Sequence, residues 1–152
     1  MSDVGEGAQC EALRPTLEDA SLRVEGTLVL DALDREVLLR GINAGGRSKL
    51  PPFLPFDYAE SPEPIYDGAP TFDEAVELYV DRVHSWGHNV VRVPFTWEAV
   101  EPERDAFDED WLSAYESLVN AFSERDIYVI VDYHQDVYSR VFCADGFPLW
   151  TL

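Results

Sequence analysis

Residues Ile127–Arg140 read IYVIVDYHQDVYSR. The first five, Ile127 to Val131, form an unbroken apolar run rich in β-branched side chains. That is the pattern of a strand buried on both faces in a parallel sheet covered by helices. The run then turns polar, with Asp132, His134, Gln135 and Asp136 in quick succession. In α/β proteins a hydrophobic strand that ends in a knot of ionisable groups marks the place where strand C-termini meet a ligand. The plainer alternative is a capped strand end followed by polar loop residues. The aromatic neighbours of His134 and Asp136 argue against it.

Working towards the N-terminus, Asn89–Phe95 (NVVRVPF) is a second buried-strand run, interrupted only by Arg92. Between the two runs lies TWEAVEPERDAF, read as a loop, and then a helix. Its acidic start, Asp108–Asp110, suits the positive end of a helix dipole, and its apolar face is Trp111, Leu112, Tyr115, Leu118, Val119 and Phe122. Before Asn89 a further helix opens at Thr71 with the capping-box pattern T-F-D-E and stops at Gly87. Ahead of it come SLRVEG and TLVLDA, separated by Gly26 and expected to form an antiparallel hairpin, then a turn around Asp31–Asp34 and a strand over Val37–Ile42. The segment between that strand and Thr71, AGGRSKLPPFLPFDYAESPEPIYDGAP, is 27 residues of proline, glycine and aromatics. A loop of that length inside a compact domain is usually functional.

The order β-α-β-α-β, with strands near 37–42, 89–94 and 127–132, implies parallel strands joined by right-handed helical crossovers. The strand C-termini then bring Asn43, Pro94–Trp97 and His134–Asp136 to one face. Residues 1–20 are acidic and aperiodic and are expected to be a flexible arm. Residues 21–152 are expected to be one domain.

The chain has 152 residues and a formal net charge of −19, with thirty acids against ten arginines and one lysine, Lys49. Nucleic acid and anionic membrane surfaces are poor partners for it, because binding to either rests on basic clusters. Dense carboxylate with almost no lysine suggests a protein kept soluble at high salt, an arginine-rich mesophile being the alternative. Cys10 and Cys143 provide neither a disulfide framework nor CxxC metal spacing. No signal peptide and no stretch long enough to span a bilayer is visible, so the expected location is cytoplasmic.

LRGIN, the loop carrying Lys49-Leu-Pro-Pro, NVVRVPFTWEAVEP, IYVIVDYHQDVYSR and the following DGFPLW resemble glycoside hydrolase family 5, above all its endoglycoceramidase and glucosylceramidase-like branch. The resemblance runs from Ser21 to the C-terminus. It implies a (β/α)8 barrel and retaining hydrolysis of a β-glycosidic bond in a glucoside or glycolipid, with no cofactor. The family carries its acid/base glutamate, preceded by asparagine, after the fourth barrel strand and its nucleophile glutamate after the seventh. Neither has a counterpart here, and such a barrel takes about 250 residues. The chain is therefore expected to be the N-terminal part of the barrel, a hairpin with three strands and two helices. It would be inactive alone and self-associate through its open edge. The other reading is a non-catalytic sugar-binding fragment.

Glu98, Asp132, Asp136 and Asp145 are the carboxylates on the right face for a self-contained catalytic pair. His134 and Asp136 as H-x-D also suit a metal, but His84 and His88, the other histidines, sit at the far end of the first helix, so metal is the weaker reading. By resemblance, Lys49, His134 and Asp136 hydrogen-bond the sugar before the scissile bond. Asn43 and Trp97 are further substrate-binding candidates. Trp97 and Trp150 read equally well as sugar platforms or as loop packing. Arg92, a charge inside a parallel sheet, needs a partner. By resemblance it hydrogen-bonds the nucleophile glutamate; from the residues alone, it pairs with a local acid such as Asp132.

Overall fold

The structure, a computed structural model, describes residues 19–59 and 61–152, so most of the expected acidic arm, with Cys10, lies outside the described residues. The chain divides into two compact units, residues 1–38 and 39–152.

In the first unit, β1 (Arg23–Glu25) and β2 (Leu28–Leu30) pair antiparallel, with Val24 opposite Val29. The hairpin turns through Gly26 at φ +62°, a left-handed conformation that glycine adopts without steric penalty. Asp31 then organises the next turn. Its carboxylate accepts the backbone N–H groups of Leu33 and Arg35, each at 2.9 Å, and pairs with the Arg35 guanidinium. The Val37 N–H donates to Val29 O at 2.8 Å, and Glu36 bridges Leu30. The expected strand Val37–Ile42 is therefore divided: its start extends the hairpin, and only Gly41–Asn43 forms β3.

The second unit is built on a parallel three-stranded sheet, β3 (Gly41–Asn43), β4 (Val90–Phe95) and β5 (Tyr128–Tyr133), in that spatial order. Gly41 is required by the closeness of β3 and β4: a Cβ there would lie 1.6 Å from Val90 O. Helix α1 (Phe72–Ser85) connects β3 to β4. The Thr71 hydroxyl caps it by accepting the Glu74 N–H at 3.3 Å, and Gly87, at φ +76°, closes its C-terminus with an N–H to His84 O. The TWEAVEP segment, read as loop from sequence, contains a one-turn helix α2 (Trp97–Val100) capped by Thr96. Helix α3 (Glu109–Ser123) follows, with Asp108 accepting the Trp111 N–H at 2.8 Å.

Val76, Val80 and Val83 of α1 and Trp111, Leu118 and Phe122 of α3 bury against Val91 and Val93 of β4. The long loop after β3 joins this core through Leu54 and Phe56, and the Trp111 indole N–H donates to Pro52 O at 3.0 Å. Arg125 ties the end of α3 to Asp81 and Glu77 of α1. Burial of β5 departs from the sequence reading. Ile127 is buried, but Ile130, Val131 and Tyr133 are 50%, 54% and 53% exposed. β4 is the central strand and covered, whereas β5 is at the sheet's edge, with no further strand beside it among the described residues. No described helix is long and apolar enough to cross a membrane.

Candidate functional site

The register places Asn43 beside Arg92 and Pro94 beside Asp132, so the C-terminal ends of β3, β4 and β5 converge. Arg92 is the hub. It donates from Nη1 to Asn43 Oδ1 at 3.1 Å and from Nη2 to Asp132 Oδ2 at 2.6 Å, and Nη2 lies 3.1 Å from His134 Nδ1. The local-acid pairing read from the residues alone is thus present. Arginine only donates, so His134 Nδ1 accepts and the neutral ring carries its proton on Nε2. That nitrogen is buried, has no hydrogen-bond partner, and lies 3.5 Å from Asp136 Oδ2.

Lys49 reaches in from the loop after β3, and its ammonium donates to Asp136 Oδ2. This hydrogen bond raises the Lys49 pKa and holds the Asp136 carboxyl below the usual range. Asp145 completes the group. Its side chain is buried at 2% exposure, with Oδ1 3.6 Å from Lys49 Nζ and Oδ2 without a partner among the described residues. A two-way backbone bridge joins it to Asp136 (Asp136 N–H to Asp145 O at 2.8 Å, Asp145 N–H to Asp136 O at 3.2 Å). The turn after it passes so close to Gln135 that a Cβ on Gly146, itself at φ +133°, would lie 2.4 Å from Gln135 Cβ.

Glu98, at the start of α2, anchors this loop. Its N–H donates to Gly146 O at 2.9 Å, and its buried carboxylate pairs with Arg140 at 2.5 Å. Trp97 belongs to an adjoining cluster in which its ring packs at 5.3 Å on both Phe147 and Trp150, while its indole N–H donates to Glu101 at 2.7 Å. Trp150 is held in turn by Glu101 O and by the Arg104 guanidinium over its face. Both tryptophans have loop partners here. His84 and His88 lie at the C-terminal end of α1, with the His88 ring edge-on to Trp86.

Of the substrate-binding candidates picked from sequence, Asn43, Lys49, His134 and Asp136 thus meet around Arg92, whereas Trp97 lies in the adjoining ring cluster. The sequence reading counted Asp145 and Glu98 only as possible catalytic acids and missed Arg140. An A-D-G turn starting four residues after Arg140 was the available signal, but the pairing across it is tertiary. His134, Asp136 and Asp145 offer ligand atoms within 4.8 Å of one another, a spacing that could hold a cation. The Lys49 ammonium already supplies positive charge between the two carboxylates.

Residues 65–150 match the family described as cellulase (glycosyl hydrolase family 5). Among curated relatives, the chain is 33% identical over 138 residues to a glucosylceramidase of Aspergillus fumigatus, an alignment covering 86% of this chain and 18% of the relative. It is 30% identical over 138 residues to endoglycoceramidase I of Rhodococcus hoagii, covering 91% and 25%. Among solved structures, sterylglucosidase 1 of Cryptococcus neoformans superposes with a TM-score of 0.69 at 27% identity, over 88% of this chain and 20% of that one. Endo-glycoceramidase II from Rhodococcus sp. gives 0.56 at 31% identity, over 83% and 26%. The chain spans about a fifth to a quarter of the length of these proteins.

Proposed function

The chain belongs to glycosyl hydrolase family 5, and on that premise we propose that it forms the N-terminal part of a retaining β-glycosidase acting on glucosides with a lipid aglycone. The relatives supporting this reading are a glucosylceramidase, an endoglycoceramidase and an ergosteryl-β-glucosidase. β3, β4 and β5 then serve as the first three strands of a (β/α)8 barrel, and the active face is where their C-termini point.

The observation that carries the proposal is the convergence of Lys49, His134 and Asp136 on one another beside Arg92. An ionised carboxylate, an ammonium and an orphaned imidazole N–H form a set of charged acceptor and donors suited to adjacent sugar hydroxyls. Asp136 accepts from one hydroxyl, while Lys49 and His134 Nε2 donate to its neighbours. The buried Nε2, without a partner among the described residues, gains one from the sugar. Arg92 holds His134 in the tautomer this requires and presents positive charge where the nucleophile glutamate of the assembled enzyme acts, favouring its ionised form. Asn43 fixes the guanidinium plane. The two catalytic glutamates are supplied from outside the described carboxylates. Trp97 lines the approach to the sugar as part of its ring cluster.

The test is calorimetric titration of the protein with a glucose-configured iminosugar. Binding weakened at least tenfold in both Asp136→Asn and His134→Ala, and unchanged by EDTA, is the expected result. Binding lost on chelation and restored by zinc would replace the sugar site with a metal site. Equal binding by wild type and both variants would remove these residues from the site.

A further inference from the structure

Asp145 differs from Asp132 and Asp136 in being withdrawn from solvent, whereas the Lys49 and Asp136 side chains are about half exposed. A carboxylate this buried ordinarily accepts backbone or side-chain N–H groups, since an unsatisfied buried anion is costly. Asp145 Oδ2 accepts none, and Oδ1 faces the Lys49 ammonium at 3.6 Å. That ammonium belongs to the only lysine in the chain. A shift of about 0.7 Å would bring it to ordinary hydrogen-bond length from Asp145.

The backbone fixes this arrangement. The two-way bridge between Asp136 and Asp145 brings both carboxylates to the one ammonium. The close contact at Gly146 and the Glu98 N–H to Gly146 O hold the second strand of that bridge in place. Asp145 is thus held through its backbone, whereas, among the described residues, the Lys49 ammonium is held only by the two carboxylates. A lysine has four rotatable bonds and a strongly hydrated head, and with Asp136 as its sole partner it would be released whenever a ligand took that carboxylate.

We propose that Asp145 is a positioning residue for Lys49, a second acceptor that keeps the ammonium at the site when a sugar hydroxyl displaces it from Asp136. The proposal rests on the reading of Asp136 as a hydroxyl-binding carboxylate. In the unliganded protein the ammonium sits on Asp136 and is drawn towards Asp145. In the liganded protein it moves onto Asp145 and turns its remaining N–H groups to the sugar. The charged and titratable groups facing it are Asp136, Asp145 and, across Asp136, His134. Asp145 is therefore expected to act on sugar affinity through Lys49, without touching the sugar.

Having a single lysine makes the experiment direct. Protein labelled with 13C,15N-lysine has one side-chain ammonium signal and one Cε signal, both from Lys49. In Asp136→Asn, which removes the charge of the exposed partner, the ammonium signal should persist and Cε should stay ordered in relaxation measurements. In Asp145→Asn, Lys49 should be ordered without ligand and should become mobile on saturation with methyl β-D-glucoside. Wild type should remain ordered under the same conditions. A mobile Lys49 in Asp136→Asn would overturn the proposal, as would an ordered Lys49 in glucoside-saturated Asp145→Asn. Should Asp145→Asn fail to fold, the Asp136→Asn spectrum alone decides. If methyl β-D-glucoside does not bind wild type, the sugar-site reading fails, while Asp136→Asn still reports separately on the second acceptor.

Discussion

Replacing Arg92 by methionine keeps most of the aliphatic stem and removes the guanidinium on which three strand ends converge. The Arg92 and Asp132 side chains are 34% and 27% exposed, which places their ion pair between two measured regimes. Exposed pairs contribute about 0–1 kcal/mol, and breaking a buried pair by removing one partner costs about 3–5 kcal/mol. A value near 2 kcal/mol is appropriate for the pair, and loss of the Asn43 bond adds about 0.5–1 kcal/mol. Arg92→Met should therefore destabilise by about 2–3 kcal/mol, a large share of a net stability of about 5–15 kcal/mol. With a urea slope of about 1–3 kcal/mol per M, the midpoint should fall by roughly 1 M. Most of that loss is the penalty of an uncompensated Asp132 anion, so the double variant Arg92→Met/Asp132→Asn should recover at least about 1 kcal/mol relative to the sum of the singles. Urea denaturation of the four proteins closes the cycle. Strictly additive losses would show that Arg92 does not hold Asp132, and its place at the centre of the site would have to be given up.

Two further outcomes follow from the same structure. Burial pushes the Tyr79 and Tyr115 hydroxyls up from 10.0 to about 12, while they donate to Ala44 O and Val93 O. Their folded pKa values are raised, so the stability they contribute is present below about pH 10 and lost as pH rises towards 12. Denaturation midpoints across that range should fall, and Tyr79→Phe with Tyr115→Phe should flatten the decline; an unchanged slope would count against it. The half-exposed Ile130, Val131 and Tyr133 on the edge strand β5 should drive self-association opposed by the −19 charge. Light scattering should therefore rise with salt as screening shortens the repulsion, and a salt-independent monomer would contradict this.

What was legible in the sequence, and what was not, divides by the range of the interaction. Capping at Thr71 and Asp108 and the stop at Gly87 are local, and each appears where its residues stand. The three strand runs were legible as apolar, β-branched stretches, and alternation with helices made them parallel, which is why Asn43 and His134–Asp136 could be assigned to one face from sequence. The misreadings share one cause. Val37–Leu39 is as apolar as a strand, yet Val37 was taken by Val29, and pattern cannot say which neighbour claims a backbone group. Ile130 and Val131 have the composition of a covered strand, and their exposure depends on what lies beside β5, which no window of local sequence contains. Asp145 was legible only as an acid in a turn. Its burial, its bridge to Asp136 and its approach to Lys49 span up to 96 residues of chain, and they emerge only once β3 and β5 are side by side with β4. The loop after β3 therefore does two jobs that sequence kept apart: Leu54 and Phe56 anchor it in the core, and that anchoring delivers Lys49 to the carboxylates that follow β5.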